Sequence, residues 1–405
     1  MNIQIKIPRR VFIGTLSGVF LEYFDYTLYG FSAPIIAKLF FPHENPMTEL
    51  LLAWAVFAIS FLVRPIGAII FGHFADRIGR RIVLMITIFL MSVATLSIGL
   101  LPTYEKIGIL SPILLILFRI LQGLSVSTEY SGCSTYLLEF NRHRKGLLSG
   151  IITSASGFGV FAASFLVLLF HNINWRFPFI IAAVLVGLLG FYFRLGLQES
   201  PEFLKAAKEK RQVHFPFLIL IRKFPRLLFK AIIISAFAGV SIIVIEIYLP
   251  SYLHSHFLIA KEKTLEISTY LAWTEACFAI IWGAISDYIS QRKTIMISGM
   301  LMLIGIFPIL KLFHSQEIFF WYGAATLLAI IVAAVDGPIA ALLVDTFSTE
   351  IRYSGVSISY NVGAALIGGF SPSILILLQE HTVLHQPMGW YLVGISILLL
   401  FAIRN

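Results

Sequence analysis

The chain has 405 residues, 58% of them hydrophobic and only 13% charged, with a mean hydropathy of +0.89. A soluble domain carries about 25% charged residues, so that class is excluded, and long unbroken apolar blocks exclude a transmembrane barrel, whose strands alternate. The net charge of +9 reflects Lys and Arg in loops on one side of a membrane, not a nucleic-acid partner.

The start, "MNIQIKIPRR", runs straight into a long apolar segment, so no cleavable leader is expected. A helical span needs about 20 apolar residues. On that rule the chain predicts twelve spans, near 11–40, 50–75, 82–101, 109–138, 146–170, 177–197, 227–253, 264–286, 294–313, 318–346, 353–379 and 388–403. If the N-terminus is cytoplasmic, the inner segments hold 21 Lys and Arg and the outer ones 6. That bias places both termini inside. Arg64, Arg119 and Arg194 fall within spans.

The longest charged connector follows the sixth span. It predicts a six-helix bundle over 1–197, a cytoplasmic connector over 198–226 and a second bundle over 227–405. An amphipathic surface helix is expected in the connector from Ser200-Pro201. The two halves echo each other: "GHFADRIGRR" at 72–81 returns as "GAISDYISQRK" at 283–293, and Glu139 at the end of span four returns as Asp345 at the end of span ten. The expected fold is therefore an all-α membrane protein of twelve transmembrane helices in two pseudo-symmetric six-helix bundles, with a site between them. Cys133 and Cys277 lie in apolar blocks, and no disulfide framework or metal-binding spacing is present.

Charges inside spans carry the functional signal, because they are costly in lipid and face a bundle interior or an aqueous cavity. Glu22 and Asp25 in span one are three apart and share a helix face with Tyr26 and Tyr29. Glu22 lies about 18 Å from the inner end, near the middle of a core about 30 Å thick. Arg64, Arg119 and Glu129 fall at similar depths, so these groups are expected to converge. Burial favours the neutral form of a carboxyl group and a nearby Arg the charged form. Glu22, Asp25, Arg119 and Glu129 are thus candidates for proton coupling, and a substrate carboxylate can compete for an Arg. The alternative is a permanent ion-pair network that aligns spans one, two and four.

The second half has Glu275 and Asp336 near mid-membrane and Glu246 toward the outer end of span seven, with no basic residue in those spans. With Trp273, Tyr270 and Tyr248 they predict a wall for a cationic group, since aromatic faces attract ammonium ions. The alternative is that these acids are protonated and hydrogen-bonded within their bundle. Tyr26, Tyr29, Arg64, Trp273, Glu275, Asp336 and Asn361 are the candidate substrate contacts. Asn361 is included because an amide in hydrocarbon needs a partner.

"GHFADRIGRR" resembles the signature loop of the major facilitator superfamily. "LEYFDYTLYGF", "LQGLSVSTEYSG", "WRFPF", "LQESPEF", "YLPSYL" and "IRYSGVSISYNVGAALIGGFSP" resemble, in order, its metabolite:proton symporter family, and most closely the proline/betaine members. The repeat loop "SDYISQRK" lacks the Gly-Arg pair of the motif. The resemblance implies that Asp76 caps span eleven and, with Arg77, Arg80 and Glu139, forms a cytoplasmic gate. The alternative is that the arginines only set topology. It also implies proton-coupled import of a small zwitterion or organic acid across the bacterial inner membrane by alternating access. The expected partners are that substrate, protons and the lipid bilayer, with no cofactor and a monomeric state. A proton-antiport exporter or exchanger of a larger metabolite such as a siderophore, or a non-transporting receptor, are the alternatives.

Overall fold

The computed structural model describes residues 9–78, 80–127, 129–140, 144–195, 216–315, 317–348, 351–381 and 385–404. All regular structure among them is helical. Span one is Arg9–Phe40, span two Pro46–Leu62 followed by Arg64–Ile78, and span three Arg80–Leu100. Span four is Leu110–Val126 followed by Glu129–Phe140, span five Lys145–Phe170 and span six Arg176–Leu195. Span seven joins Pro225–Ser241, a π-helical segment Ile242–Tyr248, and Leu249–Phe257. Span eight is Lys261–Ile289, span nine Gln291–Leu312 and span ten Ile318–Thr346. Span eleven joins Arg352–Tyr360, a second π-helical segment Asn361–Ile367, and Gly368–His381, and span twelve is Pro387–Arg404.

Among the described residues, eight helical stretches are long and apolar enough to cross a membrane by length and composition. Spans three and six add shorter apolar runs, Met85–Leu100 and Arg176–Tyr192. Spans one and eight complete the twelve, and they carry acids at the positions read from the sequence. Residues 196–215 lie outside the described residues, and with them the surface helix expected from Ser200-Pro201; the described connector is the short helix Pro216–Lys223. The segment 72–81, read as a loop, is helical through Ile78 and again from Arg80.

Local chemistry sets the interruptions. Span two turns at Val63, where Pro65 cannot donate to the carbonyl four residues back. Span four is interrupted at Ser127, whose carbonyl accepts from the Asn361 side chain at 3.1 Å. The two π-helical segments lie in spans that pack against each other, with Gly239 of span seven against Gly368 of span eleven. Such segments leave the regular hydrogen-bond ladder and are frequent at functional sites.

The halves meet most closely where span five crosses span eight. A Cβ added to Gly150 would lie 2.5 Å from the Ala279 carbonyl oxygen, and one added to Gly283 would lie 2.5 Å from the Gly146 oxygen. Only glycine allows that approach. At the end of this seam Asp287 accepts from the Gly146 and Leu147 amides at 2.7 and 2.9 Å. A carboxylate there satisfies free N–H groups and complements the dipole at the start of span five. Lys145 pairs with Asp345 beside it.

Three residues after Asp287, Ser290 adopts φ 87° and ψ 143° and occupies the glycine position of the repeated motif. Its hydroxyl accepts from the Lys293 amide at 3.4 Å. This conformation costs a side-chain-bearing residue about 1–3 kcal/mol, whereas serine exceeds glycine as an N-cap by only a few tenths. Ser290→Gly is expected to stabilise the protein by about 1 kcal/mol in thermal or denaturant unfolding. A loss of stability would refute the strain.

Candidate functional site

Glu22 and Asp25 point into the protein from one face of span one, and both are buried. The expected single cluster is divided into two. Asp25 accepts from the Thr95 hydroxyl and from the Gln122 amide, and Gln122 also donates to Thr95 at 2.9 Å. The Gln122 carbonyl in turn accepts from Arg119. Arg119 therefore reaches Asp25 through a neutral relay and not as a direct ion pair. Its guanidinium also donates to Ser60 Oγ at 2.8 Å and stands 4.3 Å above the Tyr29 ring. Tyr29, expected to touch substrate, instead donates to the Ala53 carbonyl at 3.1 Å and supports Arg119.

The second pair is Glu22 and Arg64, at 4.0 Å between Oε1 and Nη1. Arg64 lies over the rings of Phe61 and Tyr26, at 4.2 and 4.9 Å. With Tyr23, Tyr26 and Tyr360 it lines a cavity of about 10 Å³ between the halves, walled across by Gly239, Ile242 and Ala364 of the π-containing spans. That volume is about one water, far below the roughly 300 Å³ of a metabolite site, so this cavity does not hold a metabolite in this conformation. The Tyr23 and Tyr360 hydroxyls hydrogen-bond across the halves, and Tyr130 stacks on Tyr360 at 4.4 Å. Glu129 is half-buried and lines a separate small cavity with Glu22, Thr87 and Ser125.

In the second half, Glu246, Glu275 and Asp336 come together from spans seven, eight and ten. Their nearest carboxylate oxygens all lie within 4.8 Å of one another, and all three residues are buried. In the sequence, their spans' lack of basic residues places these three acids in one wall, while the distances between them come from the packing. Glu246 Oε1, Glu275 Oε1 and both Asp336 oxygens have no hydrogen-bond partner among the described residues. Glu275 and Asp336 do not line the cavity beside Arg64. Trp273 corrects the expected aromatic wall: it is 47% exposed, because two residues along a helix turn about 200° away from Glu275. Tyr270 bonds Thr326 at 2.9 Å and stays with its own bundle.

Asn361 is buried and donates to Ser127 O, and to Ser357 O at 2.9 Å, so its amide joins span eleven to the interruption of span four. The side chains of Asp76, Arg77, Arg80 and Glu139 lie outside the described residues. Their second-half counterpart is visible as the Asp287 cap. Sequence reasoning missed Gln122 and Thr95. The available signal for Gln122 was an amide one helical turn from Arg119 in an apolar span; Thr95 offered none.

The family profile described as Major Facilitator Superfamily matches residues 15–260. The chain is 32% identical to a Staphylococcus aureus (strain COL) protein described as "Putative proline/betaine transporter", over 98% of this chain and 87% of that one. It is 30% identical to the "Proline/betaine transporter" of Escherichia coli (strain K12), over 96% of this chain and 81% of that one. Among solved structures it is similar to a D-xylose-proton symporter, with a TM-score of 0.73 at 16% identity, covering 98% and 97% of the two chains. A partially occluded inward-open xylose transporter from E. coli gives 0.75 at 15% identity, covering 97% and 96%. These two structures establish the fold.

Proposed function

We propose that this chain, which belongs to the Major Facilitator Superfamily, imports a small zwitterion or organic acid together with protons. It is a multi-pass membrane protein of the twelve-helix, two-bundle fold. In this reading the bundles are residues 1–197 and 227–405, joined by a cytoplasmic connector over 198–226. Both termini face the cytoplasm of a bacterial inner membrane, as the Lys and Arg bias favours, and the protein works as a monomer.

The observation that carries the reading is the division of charge on span one. Asp25 is held by neutral donors, so gaining or losing a proton breaks no direct ion pair. Glu22 and Arg64 stand beside the central cavity, where a substrate carboxylate can displace Glu22 from Arg64. A cationic substrate end would then lie against the Tyr23, Tyr26 and Tyr360 rings. Asn361 and the tyrosine bridge hold the two halves together around the substrate. Glu129 and Glu22 share the small cavity that offers protons a route past span four. The relatives' printed names support proline or betaine as the first substrates to try.

Alternating access requires that the span five–eight seam part. Asp287 and the Lys145–Asp345 pair latch the end of that seam, which lies on the cytoplasmic side in this orientation. By the repeat, Asp76, Arg77, Arg80 and Glu139 form the matching gate on the other half.

Purified protein in liposomes tests the proposal. With an acid exterior and radiolabelled proline or betaine, inward accumulation that collapses with a protonophore is the expected result. Efflux on the same gradient would indicate antiport, and saturable binding without flux would indicate a receptor; either overturns import.

A further inference from the structure

We propose that Glu246, Glu275 and Asp336 form a binding site for a hard metal cation of the size of Na⁺ or Ca²⁺, buried in the second half of the protein. The three acids come from three different spans and meet only in the folded chain. Their nearest oxygens lie within 4.8 Å of one another. Two oxygens on opposite sides of one ion stand about 4.6–5.2 Å apart for bonds of 2.3–2.6 Å, and about 4.0–4.2 Å for the shorter bonds to Mg²⁺. Oxygens within 4.8 Å of one another can all reach one ion of the Na⁺ or Ca²⁺ size, and the comparison with MgCl₂ in the test below separates the smaller ion. The donors are carboxylate oxygens alone, which suits a hard cation and disfavours zinc or copper.

The state of these oxygens points to a ligand independently of their clustering. Glu246 Oε1, Glu275 Oε1, Asp336 Oδ1 and Asp336 Oδ2 are buried with no hydrogen-bond partner among the described residues. Buried polar atoms are almost always satisfied, and unsatisfied ones indicate an ion, a water or a functional role. No Lys or Arg pairs with the trio among the described residues, so three negative charges in a low-dielectric site need an outside counter-charge. The opposite half reaches the trio at Gly157 of span five, where an added Cβ would lie 2.5 Å from Glu275 Oε2, so glycine lets this carboxylate sit against span five. Glu246 sits on the π-helical segment of span seven, a winding frequent at functional sites, and its carboxylate reaches the other two acids.

The inference does not depend on the substrate or direction of transport, and its test uses no flux. Full-length protein in lipid nanodiscs is stripped with EDTA and dialysed into choline chloride. NaCl, CaCl₂ or MgCl₂ is then added at matched ionic strength. A saturable rise in melting temperature of about 2–4 °C with Na⁺ or Ca²⁺ is expected. Elemental analysis of the dialysed complex should approach a single ion per chain. Asp336→Asn and Glu275→Gln should abolish both signals, and Glu105→Gln, an exposed acid, should retain them. If a carboxamide variant is itself unstable, the elemental analysis still reports its metal content. The proposal is overturned if no ion raises the melting temperature of the unmodified protein and it responds to pH alone, which would give the carboxylates to protons. It is equally overturned if the ion effect persists in both variants.

Discussion

Asp25→Asn is expected to abolish concentrative uptake while leaving substrate exchange across the membrane intact. A symporter that moves one proton per substrate converts each pH unit into about tenfold accumulation, because one unit corresponds to 1.36 kcal/mol. A gradient of two units should therefore give about a hundredfold accumulation in the unmodified protein and about onefold in the variant. Asparagine keeps the shape of the side chain and can still accept from Thr95. Arg119 retains Ser60 and the Phe57 carbonyl, so the bundle should fold. Counterflow of labelled against unlabelled substrate separates the two properties, since exchange needs no net proton movement. Retention of the hundredfold gradient would remove Asp25 as the proton carrier. The parallel variant Glu22→Gln should act differently, changing apparent substrate affinity through Arg64.

Gly283→Leu should produce the second large effect, an opening of the seam between spans five and eight. Its first added carbon would already lie 2.5 Å from the Gly146 oxygen and 2.8 Å from the Gly150 Cα. These neighbours are backbone and cannot rotate away. Overpacking costs about 1–3 kcal/mol, and each 1.4 kcal/mol changes the closed-to-open ratio tenfold. The readout is labelling of a cysteine placed at Ser149 of span five, whose hydroxyl accepts from the Ala341 amide of span ten beside the seam. An impermeant maleimide on the side of the Lys145–Asp345 end, cytoplasmic in the proposed orientation, should label it several-fold faster in the Gly283→Leu background. Gly394→Leu is the control, because a Cβ there meets nothing within 4 Å. Equal labelling in all backgrounds would mean that these helices do not part during transport.

Span one shows how far local sequence reached. Acids at positions 22 and 25 must share a face of any helix, and a face carrying two acids must be buried in protein rather than lipid. The tertiary arrangement then separated them, because Arg64 of span two stands beside Glu22 while Arg119 of span four turns to Gln122, Ser60 and Tyr29. Gln122 could not be assigned in advance: an isolated amide in an apolar span has no local pattern to say which helix it faces. Trp273 was misread despite an available signal. Its two-residue offset from Glu275 already places it on the opposite face.

By itself the sequence determined the twelve apolar segments, the motif repeated in the two halves and the presence of charges inside apolar segments. Those properties depend on hydropathy and charge placement, both of which are local. Only the tertiary structure decided partnership. Asp25 is joined to Arg119 through Gln122, Asp287 caps span five from the opposite half, and Glu246, Glu275 and Asp336 meet across separations of 29 and 61 residues. The physical reason is that a buried charge requires a partner, but the interaction acts through space and any helix at the right depth can supply one. Packing of the helices makes that choice.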